Sequence, residues 1–268
     1  MFFVEIFQEF SPPLKCLQSV KGFRFAVLFG KIGFFSVFYI YTMISPVRKM
    51  FDEIAKNYDF LNHTLSCFQD ILWRKACCRE LKKREAGGRL LDLCGGTGDF
   101  AVEFERIVGK PSLAILGDFS FGMLEYSRGK KMTAKPIQLD AMQLPFLDSS
   151  FDVILNGFGM RNLPDAAGGL EESFRVLSSG GYLMVLEFFS PRNFFNRFFY
   201  KRLAPLFIPL LGSIFSGKRS AYEYLVQSVL RFLPVADFAS LAETKGFRVV
   251  SIKPCFWGVA FRVLLQKV

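Results

Sequence analysis

A glycine-rich turn between an apolar run and an amphipathic segment is the part of the chain best suited to bind a ligand. Residues 90–99 read LLDLCGGTGD, and a leucine run of this kind is typical of a buried parallel strand. Gly95, Gly96 and Gly98 then allow a tight turn against which a ligand can lie. The apolar spacing after Asp99 is helical, and the first N–H groups of such a helix are free to donate. Strand, glycine turn and helix together predict a nucleotide-binding α/β unit.

The charge around this turn distinguishes between two classes of cofactor. Gly96, Gly98 and Ala101 fit the loose dinucleotide pattern G-x-G-x-x-A, so an NAD-dependent oxidoreductase is one interpretation. Asp92 ends the strand, and we expect its carboxylate to face the ligand, where it would repel a pyrophosphate. Asp99, directly after the last glycine, has the same effect. S-adenosylmethionine carries a sulfonium and an ammonium group but no phosphate. The acids therefore favour it over NAD, and a purely structural glycine turn is the remaining alternative.

Further acids are predicted at the ends of the next two strands. Asp118 ends an apolar run 20 residues after Gly98, the usual distance for a carboxylate that bonds ribose hydroxyls. Asp140 and Ala141 follow a third apolar run and precede a Leu-Pro-Phe sequence. This arrangement resembles the methyltransferase loop that contacts adenine. Because the carboxyl ends of parallel strands meet at one edge of a sheet, we expect these acids to converge on one crevice.

Alternating strand and helix patterns must position these residues. Strands are predicted near Leu90, before Asp118, near Ile137, and at 151–156, 182–188, 248–253 and 259–266. Helices are predicted at 47–58, 68–83, 99–108, 121–130, 170–177, 221–232 and 235–245. The alternation predicts an α/β fold with a doubly wound, mostly parallel, seven-stranded sheet. Only a short connection separates the last two strands, so we expect them to form an antiparallel hairpin at the sheet edge.

Composition limits the chemistry further. The 268 residues are 51% hydrophobic, enough for one α/β domain with its own core. The net charge of +10 is compatible with nucleic acid or anionic lipid as a partner. The six cysteines form no C-x-x-C pair, which favours reduced thiols in a cytosolic protein. His63 is the single histidine, so we expect no catalytic metal.

Two segments depart from the domain pattern. Residues 1–45 form a hydrophobic leader before a domain at 46–268, and the longest uncharged run of its apolar part, at 32–44, has 13 residues, short for a membrane span. This leader has three interpretations: a membrane-surface anchor, a true membrane span, or upstream sequence that is not translated if the start is Met43 or Met50.

Residues 188–217 interleave aromatic and basic side chains. Such a pattern has three interpretations. The first is an interfacial membrane helix or a lid over a lipophilic pocket. The second is a segment that binds single-stranded nucleic acid, and the third is a helical insertion that packs in the core.

From about Val47 to the end of the chain, several motifs follow one another in a characteristic order. They are FDxIAxxYDxxN from Phe51, WR at Trp73, LDLxGGTGD from Leu91, LPF at Leu144, GFGMRN from Gly157, RVLxxGG from Arg175, EF at Glu187, YxYLxxS from Tyr222, and Pro234. In these motifs the chain resembles the S-adenosylmethionine-dependent C-methyltransferases of menaquinone and ubiquinone biosynthesis. The resemblance implies a class I methyltransferase (Rossmann-like) fold. It also implies methyl transfer to a ring carbon of a polyprenylated quinol.

The resemblance adds roles to the residues above. Thr97, Asp118, Asp140 and Ala141 match cofactor contacts of the family, and Gly157 stands where the family usually has serine, which removes one polar contact. The full set of expected cofactor contacts is Asp92, Gly95, Gly96, Thr97, Gly98, Asp118, Asp140, Ala141 and Gly157.

Ring methylation requires a phenolate, whose charge spreads to the carbon that attacks the methyl group. Arg161 is expected to favour that phenolate, and Asn162 and Tyr58 are expected to bond the quinol oxygens. Alternatively, Arg161 only pairs with Asp165 or another acid. His63 is either the proton acceptor or incidental.

Substrate and partners follow from the same resemblance. Demethylmenaquinol is the expected substrate, with the benzoquinol precursor of ubiquinone or another lipid as alternatives. The expected location is the cytoplasm, with peripheral contact to the inner face of the cytoplasmic membrane. No nucleic acid is expected, because RNA binding does not call for the Arg161–Asn162 segment. A homodimer is left open.

Overall fold

The computed structural model describes residues 17–20, 23–26, 46–192, 197–198, 200, 202 and 219–268, with side chains from Val47 onward except at 219–222. The chain divides into two units, Met1–Pro46 and Val47–Val268. In the first, strands β1 (Leu17–Val20) and β2 (Phe23–Ala26) pair antiparallel. The remainder of the predicted leader, and most of the insertion at 188–217, lie outside the described residues.

The larger unit alternates helices and strands as the sequence predicts. Its helices are α1 (Pro46–Ile54), α2 (Tyr58–Leu65), α3 (Gln69–Lys82), α4 (Asp99–Ile107), α5 (Phe121–Ser127), α6 (Ala166–Val176), α7 (Arg219–Arg231) and α8 (Val235–Thr244). Its strands are β3 (Arg89–Leu93), β4 (Leu113–Asp118), β5 (Lys135–Gln138), β6 (Phe151–Gly157), β7 (Leu177–Glu187), β8 (Phe247–Cys255) and β9 (Ala260–Lys267). Short 3-10 turns occur at Ala55–Asn57, Met160–Asn162 and Phe256–Gly258.

These strands form one seven-stranded sheet in the order β5-β4-β3-β6-β7-β9-β8. The pairs from β5 to β7 are parallel, whereas β9 runs antiparallel to both β7 and β8. The predicted fold, including the antiparallel edge hairpin, is confirmed. Leu90 packs on one face of the sheet and Leu91 on the other, and both are fully buried. Helices therefore cover both faces, as in a doubly wound domain.

The structure differs from the predicted elements at two helices that border the site. The segment predicted as one helix over 47–58 ends at Ile54, and a 3-10 turn leads into a further helix, α2, that the periodicity did not indicate. Helix α6 begins four residues before the predicted start, because Asp165 accepts hydrogen bonds from the backbone N–H groups of Ala167 and Gly168. Two adjacent glycines in its first turn have low helix propensity, so the sequence pattern did not predict a helix there.

Among the described residues, no single helix is long and apolar enough to cross a membrane. The segments Glu223–Arg231 and Val235–Thr244 meet the length and composition criterion only as a pair bent by 60°. Val226, Val229 and Phe238 of this pair are buried in the protein.

Candidate functional site

The glycine turn joins β3 to α4 at the carboxyl edge of the sheet. Gly96 and Gly98 have φ of +56° and +87°, a region that side chains disfavour. A Cβ on Gly95 would lie 2.3 Å from Leu116 Cδ1, so that position has no room for one. At Gly96 the nearest atom to such a Cβ would be Tyr58 Cε1, at 4.0 Å. The open side of the turn therefore faces Tyr58.

Asp92 lies beneath this turn rather than on its open face. Its side chain is fully buried, and Oδ2 accepts a hydrogen bond of 2.9 Å from the backbone N–H of Ala101. Burial raises the pKa of Asp92 to about 7. Oδ1 makes no hydrogen bond to any described residue. The expectation that the whole carboxylate faces a ligand is thus corrected: one oxygen holds the first turn of α4, and the other remains a buried acceptor.

Asp118 connects the end of β4 to the glycine turn. Its carboxylate accepts hydrogen bonds from the backbone N–H groups of Gly96, at 2.9 Å, and Ser120, at 2.8 Å. Burial raises the pKa of Asp118 to about 6, against the effect of these donors. The end of β4 and the turn after β3, which the sequence predicts to converge, are therefore joined by a hydrogen bond.

The other predicted cofactor residues follow β5 and end β6. Asp140 accepts a hydrogen bond of 2.8 Å from the backbone N–H of Met142, which fixes the loop, and Ala141 is buried. Gly157 ends β6, where an added Cβ would lie 3.0 Å from Phe100 Cδ1. A serine at this position would require Phe100 to move, which gives a packing reason for the glycine.

Helices α1 and α2 attach to these loops through two aspartates. Asp52 accepts hydrogen bonds from Ser120 Oγ, at 2.6 Å, and from the backbone N–H of Gly122, at 2.9 Å. Asp59 accepts a hydrogen bond of 2.5 Å from the Thr97 hydroxyl. Its other oxygen lies 2.7 Å from Lys130 Nζ. The α1–α2 segment therefore covers the loops that follow β3 and β4. Both aspartates belong to motifs quoted above, but sequence reasoning gave them no role.

His63 belongs to an ion network beside the glycine turn. Its Nδ1 lies 2.8 Å from Asp70 Oδ2 and its Nε2 lies 3.6 Å from Asp99 Oδ2. Ligand atoms of these three residues lie within 4.8 Å of one another, a spacing that could hold a metal. However, Arg74 lies 2.5 Å from Asp70, and Lys130 bonds Asp99. These cations neutralise the two carboxylates, so the cluster is a salt-bridge network.

A cavity opens next to the turn, between α1, α2 and α7. The space between these helices amounts to about 450 Å³, a figure that includes open solvent. Its lining is apolar apart from a few polar groups. The lining residues are Met50, Phe51, Ile54, Tyr58, Leu61, Asn62, Arg161, Tyr224 and Leu225. His63 is not among them, so the structure does not support it as a proton acceptor here.

Arg161 is the charged residue among the described residues that line this cavity. Its Nη1 donates hydrogen bonds to Glu187, at 2.7 Å, and to the Phe158 carbonyl, at 2.6 Å, while Nε donates to Ser228 Oγ. Glu187 is fully buried. Burial raises the pKa of its carboxyl group, an effect that Arg161 opposes. Arg161 therefore pairs with Glu187 and not with Asp165, which caps α6. No hydrogen bond to a described residue uses its Nη2.

The two other predicted catalytic residues have different surroundings. Tyr58 lines the cavity, and burial raises the pKa of its hydroxyl, so this group stays protonated. Asn162 is outside the lining: its Nδ2 donates to the Phe158 carbonyl and its Oδ1 accepts from the Tyr224 hydroxyl. It braces Tyr224. Sequence reasoning missed Asn62 and Tyr224 as lining residues, although both stand in the motifs that it quoted.

The sheet order, the reversed C-terminal strand and the glycine turn at the end of β3 define a class I S-adenosylmethionine-dependent methyltransferase fold. Solved structures agree. One is a SAM-dependent methyltransferase of Thermotoga maritima, described as a possible histamine N-methyltransferase, with a TM-score of 0.59 and 20% identity over 82% of this chain and 99% of that chain. Another is the [4+2]-cyclase SpnF, with a TM-score of 0.57 and 15% identity over 82% and 94% of the two chains.

Sequence comparison identifies the family. A model of the ubiE/COQ5 methyltransferase family matches residues 41–263, and the chain belongs to this family. It is 38% identical to the ubiquinone/menaquinone biosynthesis C-methyltransferase UbiE of Geobacter sulfurreducens, over 80% of this chain and 85% of the relative. It is 36% identical to the demethylmenaquinone methyltransferase of Staphylococcus aureus, over 80% of this chain and 90% of the relative.

Proposed function

We propose that this protein transfers a methyl group from S-adenosylmethionine to a ring carbon of a polyprenylated quinol, with demethylmenaquinol as the substrate. The single observation that carries the proposal is the position of Arg161 in a mainly apolar cavity beside the glycine turn. Family membership and the names of the two relatives support the reaction class.

The chain's own residues fit the proposed cofactor. Gly96 leaves open space on the face of the turn, and Asp92 supports the turn from beneath through its hydrogen bond with the backbone N–H of Ala101. Asp118 is the candidate for the ribose hydroxyls, and the Asp140–Ala141 loop for the adenine. S-adenosylmethionine supplies an electrophilic methyl group when it is bound. The backbone of the turn and Asp118 would hold and orient it.

Arg161 would activate the acceptor by stabilising its anion. Loss of a hydroxyl proton to solvent water gives a phenolate whose negative charge spreads to the ring carbon. A guanidinium remains protonated at all relevant pH values, so Arg161 stabilises this charge instead of accepting the proton. Its Nε and Nη1 bond to Ser228, Phe158 and Glu187, so Nη2, which makes no hydrogen bond to a described residue, would donate to the phenolate oxygen. Tyr58 keeps its proton and would donate to a second oxygen of the quinol.

The remainder of the cavity suits the apolar part of a quinol. Met50, Ile54, Leu61 and Leu225 supply aliphatic surface next to the polar groups. Pockets of this kind, apolar with a few convergent polar groups, orient small substrates.

The test is a methyl-transfer assay that separates activity from folding. The full chain is incubated with methyl-labelled S-adenosylmethionine and a short-tailed, reduced demethylmenaquinone, and label is followed into the organic phase. Arg161→Ala alone would leave Glu187 charged and buried without a partner, a loss of about 3–5 kcal/mol of stability. We therefore use the neutral pair Arg161→Gln with Glu187→Gln. We expect it to fold and bind cofactor while kcat falls at least about 100-fold.

A comparable ion pair elsewhere provides the matched control. Arg89 and Asp152 are 2.8 Å apart at the amino ends of β3 and β6, away from the cavity. The double change Arg89→Gln with Asp152→Asn should leave kcat near that of the unchanged chain. Full activity of the Arg161 pair variant would refute the role of Arg161. Cofactor binding without transfer would direct the assay to the benzoquinol precursor of ubiquinone. Failure of the unchanged chain to bind S-adenosylmethionine would refute the proposed function.

A further inference from the structure

Tyr224 lines the cavity from α7, and its hydroxyl group is held by one neighbour. Its oxygen lies 3.1 Å from Asn162 Oδ1, and the hydroxyl makes no other hydrogen bond to a described residue. The side chain is partly buried and shares the cavity lining with Arg161 and Tyr58. The direction of the bond to Asn162 decides what this hydroxyl can offer to a bound ligand.

Asn162 determines that direction. An asparagine side chain has one donor group and one acceptor oxygen. Its Nδ2 lies 3.0 Å from the carbonyl oxygen of Phe158, which can only accept, so the amide oxygen is the atom that faces Tyr224. Because this oxygen can also only accept, the Tyr224 hydroxyl must donate. The hydrogen of Tyr224 is therefore committed to Asn162, and only lone pairs of its oxygen remain for a ligand.

The same carbonyl also orients Arg161. The Phe158 oxygen accepts from Arg161 Nη1 at 2.6 Å as well as from Asn162 Nδ2, which occupies both of its lone pairs. Phe158 has a φ of +60°, a region that bulky side chains disfavour. Backbone strain of this kind is concentrated at functional sites. One peptide oxygen thus orients both the cationic donor of the cavity and the amide that fixes Tyr224.

Helix α7 holds Tyr224 against this arrangement at a second point. Ser228 follows Tyr224 by four residues, so the two side chains lie on one face of the helix. Ser228 Oγ accepts from Arg161 Nε at 3.2 Å, while Tyr224 donates to Asn162. Both contacts are to the 3-10 turn Met160–Asn162. The position of Tyr224 beside Arg161 is therefore fixed by two contacts one helical turn apart.

A quinol that has lost one proton needs two different partners in such a cavity. Its phenolate oxygen needs a donor, for which Arg161 is the candidate. Its second hydroxyl keeps its hydrogen, because a second negative charge in mainly apolar surroundings would be costly, and this hydrogen needs an acceptor. Burial raises the pKa of Tyr224, so its hydroxyl stays neutral and accepts without adding charge. The oxygen of the second hydroxyl can still accept from Tyr58.

We propose that Tyr224 is a specificity-determining residue that accepts a hydrogen bond from the second hydroxyl of the quinol, and that Asn162 is the positioning residue that makes it an acceptor. An oxidised quinone has no hydrogen at this position, so its carbonyl oxygen would meet the lone pairs of Tyr224. The site therefore selects the reduced ring. This inference rests on the proposed function, because it assigns a partner to one atom of the proposed substrate.

Removal of a hydroxyl from either partner tests the contact. The full chain is assayed with the short-tailed quinol and with the matching naphthol, which lacks only the hydroxyl remote from the reacting carbon. Tyr224→Phe should lower kcat/KM about tenfold for the quinol and less than about twofold for the naphthol. The two rings differ in intrinsic reactivity, but this difference cancels when both enzymes are compared on each compound.

A purely structural role for Tyr224 predicts a different result. Both compounds need Arg161 for their phenolate, so a change that only disturbed Arg161 through Asn162 would lower kcat/KM equally for the two. Equal loss would therefore overturn the proposal. Tyr126→Phe is the matched control, because Tyr126 lies on α5 and is 43% exposed. It should leave kcat/KM unchanged for both compounds.

Inhibition by the oxidised ring tests the role of Asn162. Asn162→Leu frees the hydrogen of Tyr224, which can then donate to a quinone carbonyl. We expect this change to lower the inhibition constant of short-tailed menaquinone, relative to that of its quinol, at least about threefold. Adding Tyr224→Phe to Asn162→Leu should abolish the gain. An unchanged ratio in Asn162→Leu would refute the positioning role.

The assays separate this inference from the proposed function. Methyl transfer to the quinol with equal loss on both compounds in Tyr224→Phe would refute the role of Tyr224 alone. Absence of transfer to either compound by the unchanged chain would refute the proposed function, and the role of Tyr224 with it.

Discussion

At the scale of single residues, the two acids beneath the glycine turn are held in surroundings that oppose their charge. Burial raises the pKa of Asp92 to about 7 and that of Asp118 to about 6. An exposed aspartate would titrate near pH 4. Both carboxyl groups therefore bind protons more tightly in the folded chain than in the unfolded chain, which links stability to pH.

Asp92 gives a prediction about that link. Between the ordinary value of 3.8 and about 7, the unfolded chain has ionised Asp92 while the folded chain keeps it protonated. The free energy of unfolding therefore falls as pH rises, by at most about 1.4 kcal/mol per pH unit. Asp92→Asn removes this titration. We expect the stability of Asp92→Asn relative to the unchanged chain to increase from pH 4.5 to 7 and then to level off, as measured by urea unfolding.

Asp152 is the matched control for this experiment. Its hydrogen bonds with Arg89 lower the pKa of its carboxyl group, so the stabilisation that it provides is already complete above about pH 4. Asp152→Asn should destabilise the chain by an amount that stays constant between pH 4.5 and 7.5. A constant difference for Asp92→Asn as well would contradict the prediction.

At the scale of elements, neighbouring glycines of one turn serve different purposes. A Cβ at Gly95 would lie 2.7 Å from Asp92 Cγ, whereas one at Gly96 would point into open space. We predict that Gly95→Ala lowers stability by at least about 2 kcal/mol, from overpacking. Gly96→Ala should cost about 1 kcal/mol, from its φ of +56°. It should nevertheless weaken S-adenosylmethionine binding at least tenfold, as measured by calorimetry.

A remote glycine separates backbone strain from ligand contact. Gly109 has a φ of +123° with nothing within 4 Å of an added Cβ. Gly109→Ala should therefore lower stability and leave cofactor affinity unchanged. If Gly96→Ala also left affinity unchanged, the open face of the turn would not be the binding face.

The α1–α2 segment is attached to the loops after β3 and β4 through Asp52 and Asp59. Asp59 accepts a hydrogen bond from Thr97 and is ion-paired with Lys130. We predict that Asp59→Ala raises the Kd for S-adenosylmethionine about tenfold and changes Tm little, because segments held by few contacts open locally without global unfolding. Hydrogen exchange should speed up in residues 58–65. Asp237→Ala, which breaks the exposed pair with Arg192, is the control and should change neither quantity.

At the scale of the whole molecule, the described cysteines report on the integrity of the fold. Cys67 is exposed, whereas Cys77, Cys78 and Cys255 are buried. Burial raises the pKa of these three thiols and of Cys94. We predict that iodoacetamide at pH 7.5 modifies Cys67 and spares the other four in the native protein, as read by mass spectrometry. In guanidinium all five should react, and native-state labelling of Cys77 would contradict this packing.

Much of the fold could be predicted because it depends on patterns that are local in the sequence. Apolar runs such as the one before Asp92 placed the strands, and the glycine turn placed the site at the end of β3. The start of α6 and the existence of α2 could not be predicted from periodicity. Asp165 caps α6 over two glycines, and α2 is placed by the contact of Asp59 with Thr97. In α6 a helix cap, and in α2 a tertiary contact, outweighed the helix propensity of the local sequence.

The class of fold, the glycine turn and the candidate residues, including Arg161, could be predicted from the chain alone, because each depends on residue types at short spacing. The partners of these residues depend on the tertiary structure. Arg161 meets Glu187, 26 residues away, and Asp59 meets Thr97, 38 residues away. Asp52 meets Ser120, 68 residues away. Such pairs depend on which strand ends lie side by side in the sheet, and spacing along the chain carries no information about that.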